Sequence, residues 1–187
     1  TGRQGSAGVV GHPWGNVDNC KNFGDLDIRY ASSTGDIFTD KAQCVMIGGI
    51  ACADYFQKEQ TLSCLNNCEN HGNIYLLTHL DGSTNTLGGI IGWPGKEGAK
   101  DSGMFGCKNY GDVTAEGDSK LRMGGINGGS GNVRNCENHG TVTTSALNTG
   151  AVGGISGFHS NGLYNDGNKN FGDVVLAAKA KTNTAAV

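Results

Sequence analysis

The side chains best suited to chemistry in this sequence return in one repeated frame. It reads Cys-Lys-Asn-Phe-Gly-Asp at Cys20 to Asp25 and Cys-Glu-Asn-His-Gly-Asn at Cys68 to Asn73. It reads Cys-Lys-Asn-Tyr-Gly-Asp at Cys107 to Asp112, Cys-Glu-Asn-His-Gly-Thr at Cys136 to Thr141, and Asn-Lys-Asn-Phe-Gly-Asp at Asn168 to Asp173. Two neighbouring carboxyls such as Asp112 and Glu137 are the kind of pair that does acid–base work on a glycosidic bond. The charged slot, however, alternates: Lys21, Glu69, Lys108, Glu137, Lys169. The ring slot alternates in step: Phe23, His71, Tyr110, His139, Phe171. In a parallel stack of coils, equivalent slots lie ~4.8 Å apart. At that distance like charges repel and opposite charges attract. A ladder that fixes which coil sits on which explains every copy, whereas an acid–base pair explains two residues. The ladder is therefore the simpler reading, and no catalytic residue is assigned.

The amide slot holds Asn22, Asn70, Asn109, Asn138 and Asn170, and these are expected to form a structural asparagine ladder, coil to coil and to the turn backbone. Cys20, Cys68, Cys107 and Cys136 fill one slot of the same frame. Stacked side chains point the same way, a poor geometry for disulfides, so a column of buried free thiols acting as small apolar residues is expected. Cys44, Cys52 and Cys64 fall between the repeats, where one pair has room to bridge. The cysteines lack C-x-x-C spacing, so no metal site is expected, nor any cofactor. The sequence alone names no partner for His12, His79 or His159, and they read as turn or surface residues. Nucleophile elbow, phosphate loop, H-E-x-x-H and EF-hand patterns do not occur. Exposed aromatics beside polar side chains are what carbohydrate binding would use. Trp14, Tyr55, Phe56, Trp93, Phe158 and Tyr164 are the candidate binding residues. Each could equally cover an open end of the core.

A second signature precedes each frame: Gly8-Val9-Val10-Gly11, Gly48-Gly49-Ile50, Gly88-Gly89-Ile90-Ile91-Gly92, Gly124-Gly125-Ile126 and Gly153-Gly154-Ile155-Ser156-Gly157. The order never changes, so the chain is a repeat protein. The shortest step, Cys107 to Cys136, is 29 residues, which suits one coil of a β-solenoid with about ten residues per side. Isolated apolar residues such as Ile126, Val133 and Val142 suit short strands with one or two inward side chains, and no long window shows the helical period. The predicted fold is all-β: a right-handed parallel β-helix, or three-sided β-solenoid, of about five coils with loop insertions. A single domain spans 1–187, with repeats at about 7–26, 47–74, 87–113, 123–142 and 152–174. Insertions fall at 27–46, 51–66 and 91–106, residues 75–86 lengthen a further turn, and 175–187 form a last strand and a tail. Ile28, Tyr30, Ile37 and Phe38 suggest an added hairpin around Thr34-Gly35-Asp36. Residues 51–66 read as a short helix with Ala53, Phe56 and Leu62 facing the solenoid. Gly24, Gly72, Gly111, Gly140 and Gly172 are expected to supply a positive φ at one corner. The insertions cluster before residue 107, where they either build a binding face or pad the barrel end.

Together the two signatures resemble the GLUG-type repeats of bacterial surface and secreted proteins, over about residues 7–175. Met123 to Val142 matches their pattern nearly throughout; Ala51-Cys52 and Asn168 depart from it. The resemblance implies a β-solenoid in an extracellular or cell-surface setting and carries no catalytic residue. The net charge of −3 and the lack of a basic stripe argue against nucleic acid as a partner. No apolar run approaches the ~18 residues of a membrane span. The chain lacks an initiator Met and a signal peptide, so it is expected to start after processing or to be a piece of a larger protein. The expected function is a non-catalytic adhesion or binding module, whose partner is a glycan or a surface protein. The alternative is a structural subunit that self-associates through its solenoid ends into a filament or coat. A polysaccharide-cleaving enzyme is the least favoured reading, because it rests on fold analogy alone.

Overall fold

A computed structural model describes residues 3–30, 44–53, 64–78, 84–94, 102–117, 119–146, 148–160 and 162–177. These residues form short strands and no helix, so none is long and apolar enough to cross a membrane. All strand pairings are parallel, and partners always come from successive coils. The described residues form a parallel β-solenoid of five coils.

Each coil breaks into strand segments that stack into rows. The first row holds Arg3–Ala7, Cys44–Gly48, Asn85–Gly88, Lys120–Gly124 and Asn148–Gly153. The second is short, Ala51–Ala53 on Ile91–Trp93, continued by single bridges through Val10, Asn127 and Ser156. The third holds Val17–Asp18, Cys64–Asn66, Gly103–Phe105, Val133–Arg134 and Asn165–Asp166. The fourth carries the repeated frame: Lys21–Asn22, Glu69–Asn70, Lys108–Asn109, Glu137–Asn138 and Lys169–Asn170. The fifth holds Leu26–Tyr30, Ile74–Thr78, Val113–Gly117, Val142–Thr144 and Val174–Leu176.

Two apolar columns fill the interior. Ile47, Leu87, Leu121 and Met123 of the first row meet Ile74, Leu76, Val113 and Val142 of the fifth. The isoleucines after the glycine pairs, Ile50, Ile90 and Ile126, meet Leu65, Met104 and Val133 of the third row and the thiols of Cys68, Cys107 and Cys136. Burying isolated β-branched and long side chains from the first, second, third and fifth rows gives the stack an apolar interior that no single coil could make alone.

Several boundaries differ from the sequence expectation. Residues 27–30 continue a fifth-row strand, paired in parallel with Tyr75 to Thr78, and do not leave the solenoid. Cys44, Cys52 and Cys64 lie in first-, second- and third-row strands. Residues 51–53 and 64–66, expected in a helical insertion, are likewise strands. Met104 and its neighbours belong to the third row, and residues 74–78 and 85–88 to the fifth and first. In each case coil-to-coil pairing gives a short segment its conformation, which a run of so few residues does not reveal by itself. The hairpin around Thr34, the residues Ile37, Phe38, Tyr55, Phe56, Leu62 and His79, and 178–187 of the tail lie outside the described residues.

The glycines of the repeated frame serve a different purpose from the one expected. The left-handed corner falls between the third and fourth rows, at Asn19 (φ 55°), Asn67 (φ 52°), Gly106 (φ 64°), Asn135 (φ 53°) and Gly167 (φ 68°). Asparagine and glycine are the residues that tolerate this region. Gly72, Gly111, Gly140 and Gly172 are required by contact instead: a Cβ at each would collide with the carbonyl of the matching glycine one coil earlier.

Candidate functional site

The interior explains why the two signatures travel together. In the first signature, Gly8, Gly49, Gly89, Gly125 and Gly154 each pack against the amide of the ladder asparagine in their own coil, leaving no room for a Cβ. Those amides form a continuous chain. Asn22 donates to Asn70, Asn70 to Asn109, Asn109 to Asn138 and Asn138 to Asn170, each at 2.8 Å. Each Nδ2 also donates to the carbonyl of the glycine two residues on, at 2.7–2.8 Å. The expected asparagine ladder is therefore present and satisfied.

The cysteine slot is a donor position. Cys68 Sγ donates to the Val17 carbonyl (3.3 Å), Cys107 to Leu65 (3.1 Å) and Cys136 to Met104 (3.6 Å), each one coil earlier. Asn168, in the same slot, donates through Nδ2 to the Val133 carbonyl at 2.9 Å. The thiols of Cys20, Cys68, Cys107 and Cys136 are free. Hydrogen bonds with Cys136 and Cys68, together with burial, push the Cys107 thiol well above its usual range. Cys52 stands where the four other coils have glycine: Gly11, Gly92, Gly128 and Gly157. Its thiol is accommodated because Gly5, in the coil before, leaves the space, and it donates to the Gly11 carbonyl.

Outside the coil, the fourth row and the turn after it present three parallel ladders. The register places Lys108 between Glu69 and Glu137, with Lys21 and Lys169 beyond them. Lys21 Nζ lies 2.9 Å from Glu69, Lys108 Nζ 3.2 Å and Lys169 Nζ 4.0 Å from Glu137. His71 and His139 reach back to Glu69 (2.9 Å) and Glu137 (3.1 Å). Lys21 and then His71 hold the Glu69 carboxyl below its usual range; His139 and then Lys108 do so for Glu137. Beside the charges runs an unbroken ring stack, Phe23–His71–Tyr110–His139–Phe171, with centroids 4.7–4.8 Å apart and planes within 14–19°. The sequence pointed to the alternation but not to the stack, because ring orientation depends on the coil spacing. Next to it, Asp25 accepts from the Asn73 backbone, Asn73 from Asp112, and Asp112 from Thr141, at 2.7–3.0 Å. Asp112 and Glu137 are thus separately engaged, each in its own ladder.

The aromatic candidates fall elsewhere. Trp14, Trp93, Phe158 and Tyr164 all lie in the connection from the second row to the third, or at its start, in the first, third and fifth coils. Trp14 is 66% exposed and meets His12 edge-on, with centroids 6.0 Å apart. Phe158 is 38% exposed beneath the Arg122 guanidinium, 4.0 Å from its ring centre. Tyr164 is half-buried beneath Arg134 at 3.6 Å. Trp93 is half-buried against Met46, Cys52 and Ala53. These cation–π contacts have no signal in the sequence, since Arg122 and Arg134 come from strands on either side of that corner. The same connection takes up much of the variation in coil length. From third row to fifth the spacing is constant, nine residues from Val17 to Leu26 and again in each later coil.

No protein family model matches the chain, and no curated protein or solved structure does.

Proposed function

We propose that the chain is a non-catalytic binding or adhesion module of an extracellular or cell-surface protein, with glycans as its ligand class. The observation that carries this reading is that Trp14, Trp93, Phe158 and Tyr164 lie along one edge of the solenoid, in the first, third and fifth coils, with the Trp14 ring largely open. A sugar offers an apolar C–H face to an aromatic ring and hydroxyls to nearby donors. Arg122 and Arg134, already on two of these rings, supply donors of that kind. Length variation along the same edge is how a rigid scaffold varies what it presents. The ring stack of the fourth row suits sugars less well, because its inner rings have both faces covered by neighbours. The non-catalytic reading is supported by Glu69 and Glu137, which are already tied to Lys21, Lys108 and the two histidines. The likeness to GLUG-type repeats and the polar, weakly charged composition favour an extracellular setting.

The test is co-sedimentation with insoluble polysaccharides, cellulose, chitin and peptidoglycan, followed by a glycan array. Retention by at least one is expected. Trp14→Ala with Phe158→Ala should weaken it by about tenfold or more, roughly 1.4 kcal/mol, while the melting midpoint stays near wild type. Retention by none of them, or equal retention of the double variant, sinks the reading.

A further inference from the structure

Both ends of the solenoid carry the same kind of coil. The first coil presents Lys21, Phe23 and Asp25 at its open edge; the fifth presents Lys169, Phe171 and Asp173. Phe23 is 71% and Phe171 61% exposed, so each ring offers a free face to whatever stacks next.

The backbone and the amide ladder make the ends complementary in polarity. At each junction of the fourth row, N–H groups of the later coil donate to carbonyls of the earlier one: Glu69 to Cys20 and His71 to Asn22, then Lys169 to Cys136 and Phe171 to Asn138. By the same pattern, the carbonyls of Asn168 and Asn170 face outward as acceptors at one end. The N–H groups of Lys21 and Phe23 face outward as donors at the other. The amides run the opposite way, each Nδ2 donating to the next coil's Oδ1, so Asn22 offers an acceptor where the backbone offers donors and Asn170 a donor where the backbone offers acceptors. A further coil in parallel orientation therefore fits either edge.

The outer ladders decide which coil that is. At every junction in the chain lysine meets glutamate, a phenyl or phenol meets imidazole, and an Asp meets Asn or Thr. A second copy of this chain, stacked end to end in register, would set Lys169 on Lys21 and Asp173 on Asp25. Like charges directly opposite in a sheet are destabilising, and charged edges are a known means of blocking edge-to-edge growth. We propose that each end is a docking edge for a parallel coil of the Glu-Asn-His-Gly-(Asn/Thr) type carried by another polypeptide segment, and that the ends reject a second copy of this chain in that register.

The test lengthens the chain so that every internal junction keeps lysine on glutamate, with oligomeric state read by light scattering and sedimentation velocity. Wild type should not associate end to end. Inserting a second copy of residues 118–146 after residue 177 ends the stack on the Glu-Asn-His-Gly-Thr coil and gives unlike ends; this variant should form head-to-tail oligomers of at least about twice its own monomer mass that dissociate as salt screens the charges. Inserting a second copy of residues 118–177 at the same place adds a glutamate coil and then a lysine coil, gives like ends again, and should return to monomer; this arm separates pairing by charge and ring type from aggregation of a misfolded chain. End-to-end polymers of wild type, no association of the one-coil variant, or association of the two-coil variant equal to it would each overturn the proposal.

Discussion

Asn109 ties together three coils. It accepts from Asn70, and donates to Asn138 and to the Gly111 carbonyl, while fully buried. Asn109→Ala would leave buried partners unsatisfied, which costs about 1–3 kcal/mol for each group. Its loss should approach ~3 kcal/mol by that measure. Asn170→Ala, at an exposed position of the last coil, should cost far less; denaturant unfolding of the two variants checks the contrast. Glu69 and Glu137 make a second expectation at this scale. Their folded pKa values lie below the ordinary ~4.3 of an unfolded glutamate, so as pH falls the unfolded chain takes up protons first. Their contribution is fully present above that value and is lost as pH drops through the folded values. Melts from neutral to acid pH should show wild type losing more stability than the Glu69→Gln, Glu137→Gln variant; parallel curves would refute it. The asparagine and cysteine columns were legible in the sequence from their spacing. That the thiols act as donors was not, because their acceptors lie one coil earlier and only the register shows which carbonyl each thiol meets.

Rows of equivalent residues make sharper tests than single contacts. Gly111→Ala pushes a methyl group into the Gly72 carbonyl, whereas a Cβ at Gly24 meets nothing closer than 3.8 Å. Gly111→Ala should cost about 1–3 kcal/mol or more, the range of overpacking, and Gly24→Ala should be nearly neutral. If the two melt alike, stacking contact is not the reason for glycine in that slot. In the charged row, Lys108→Glu sets three acids in line, Glu69, residue 108 and Glu137. The melting midpoint should fall at low salt and fall less at high salt, because exposed pairs are screened. Adding Glu137→Lys should recover part of the loss. The alternation of this row was readable from five copies of the frame. The second and third rows were not, since strands of two or three residues have no periodicity of their own and take their conformation from the neighbouring coil.

Stability across the whole solenoid should be uneven, because each coil touches only its neighbours. Ile74, Val113 and Val142 are buried in the middle coils, while Val174 and Leu176 of the last coil are only half-covered. Amide hydrogen exchange should therefore be slowest in the third coil and fastest in the fifth. Equal protection in the two would contradict nearest-neighbour stacking. The five-coil plan was visible in the sequence because two signatures recur in fixed order, but the coupling of those signatures was not. It rests on contact between Gly125 and Asn138, and its equivalents, across an interior that exists only once the coil closes.

The alternating fourth row bears on how such a chain can grow by descent. Recombination between adjacent repeats adds or removes one unit and brings like onto like: Glu69 against Glu137, His71 against His139. Recombination between every second repeat keeps each lysine beside a glutamate and each phenyl or phenol ring beside an imidazole. A gain or loss of two coils therefore preserves every junction, whereas a gain or loss of one leaves a junction of like charges that is expected to hold less firmly than the others.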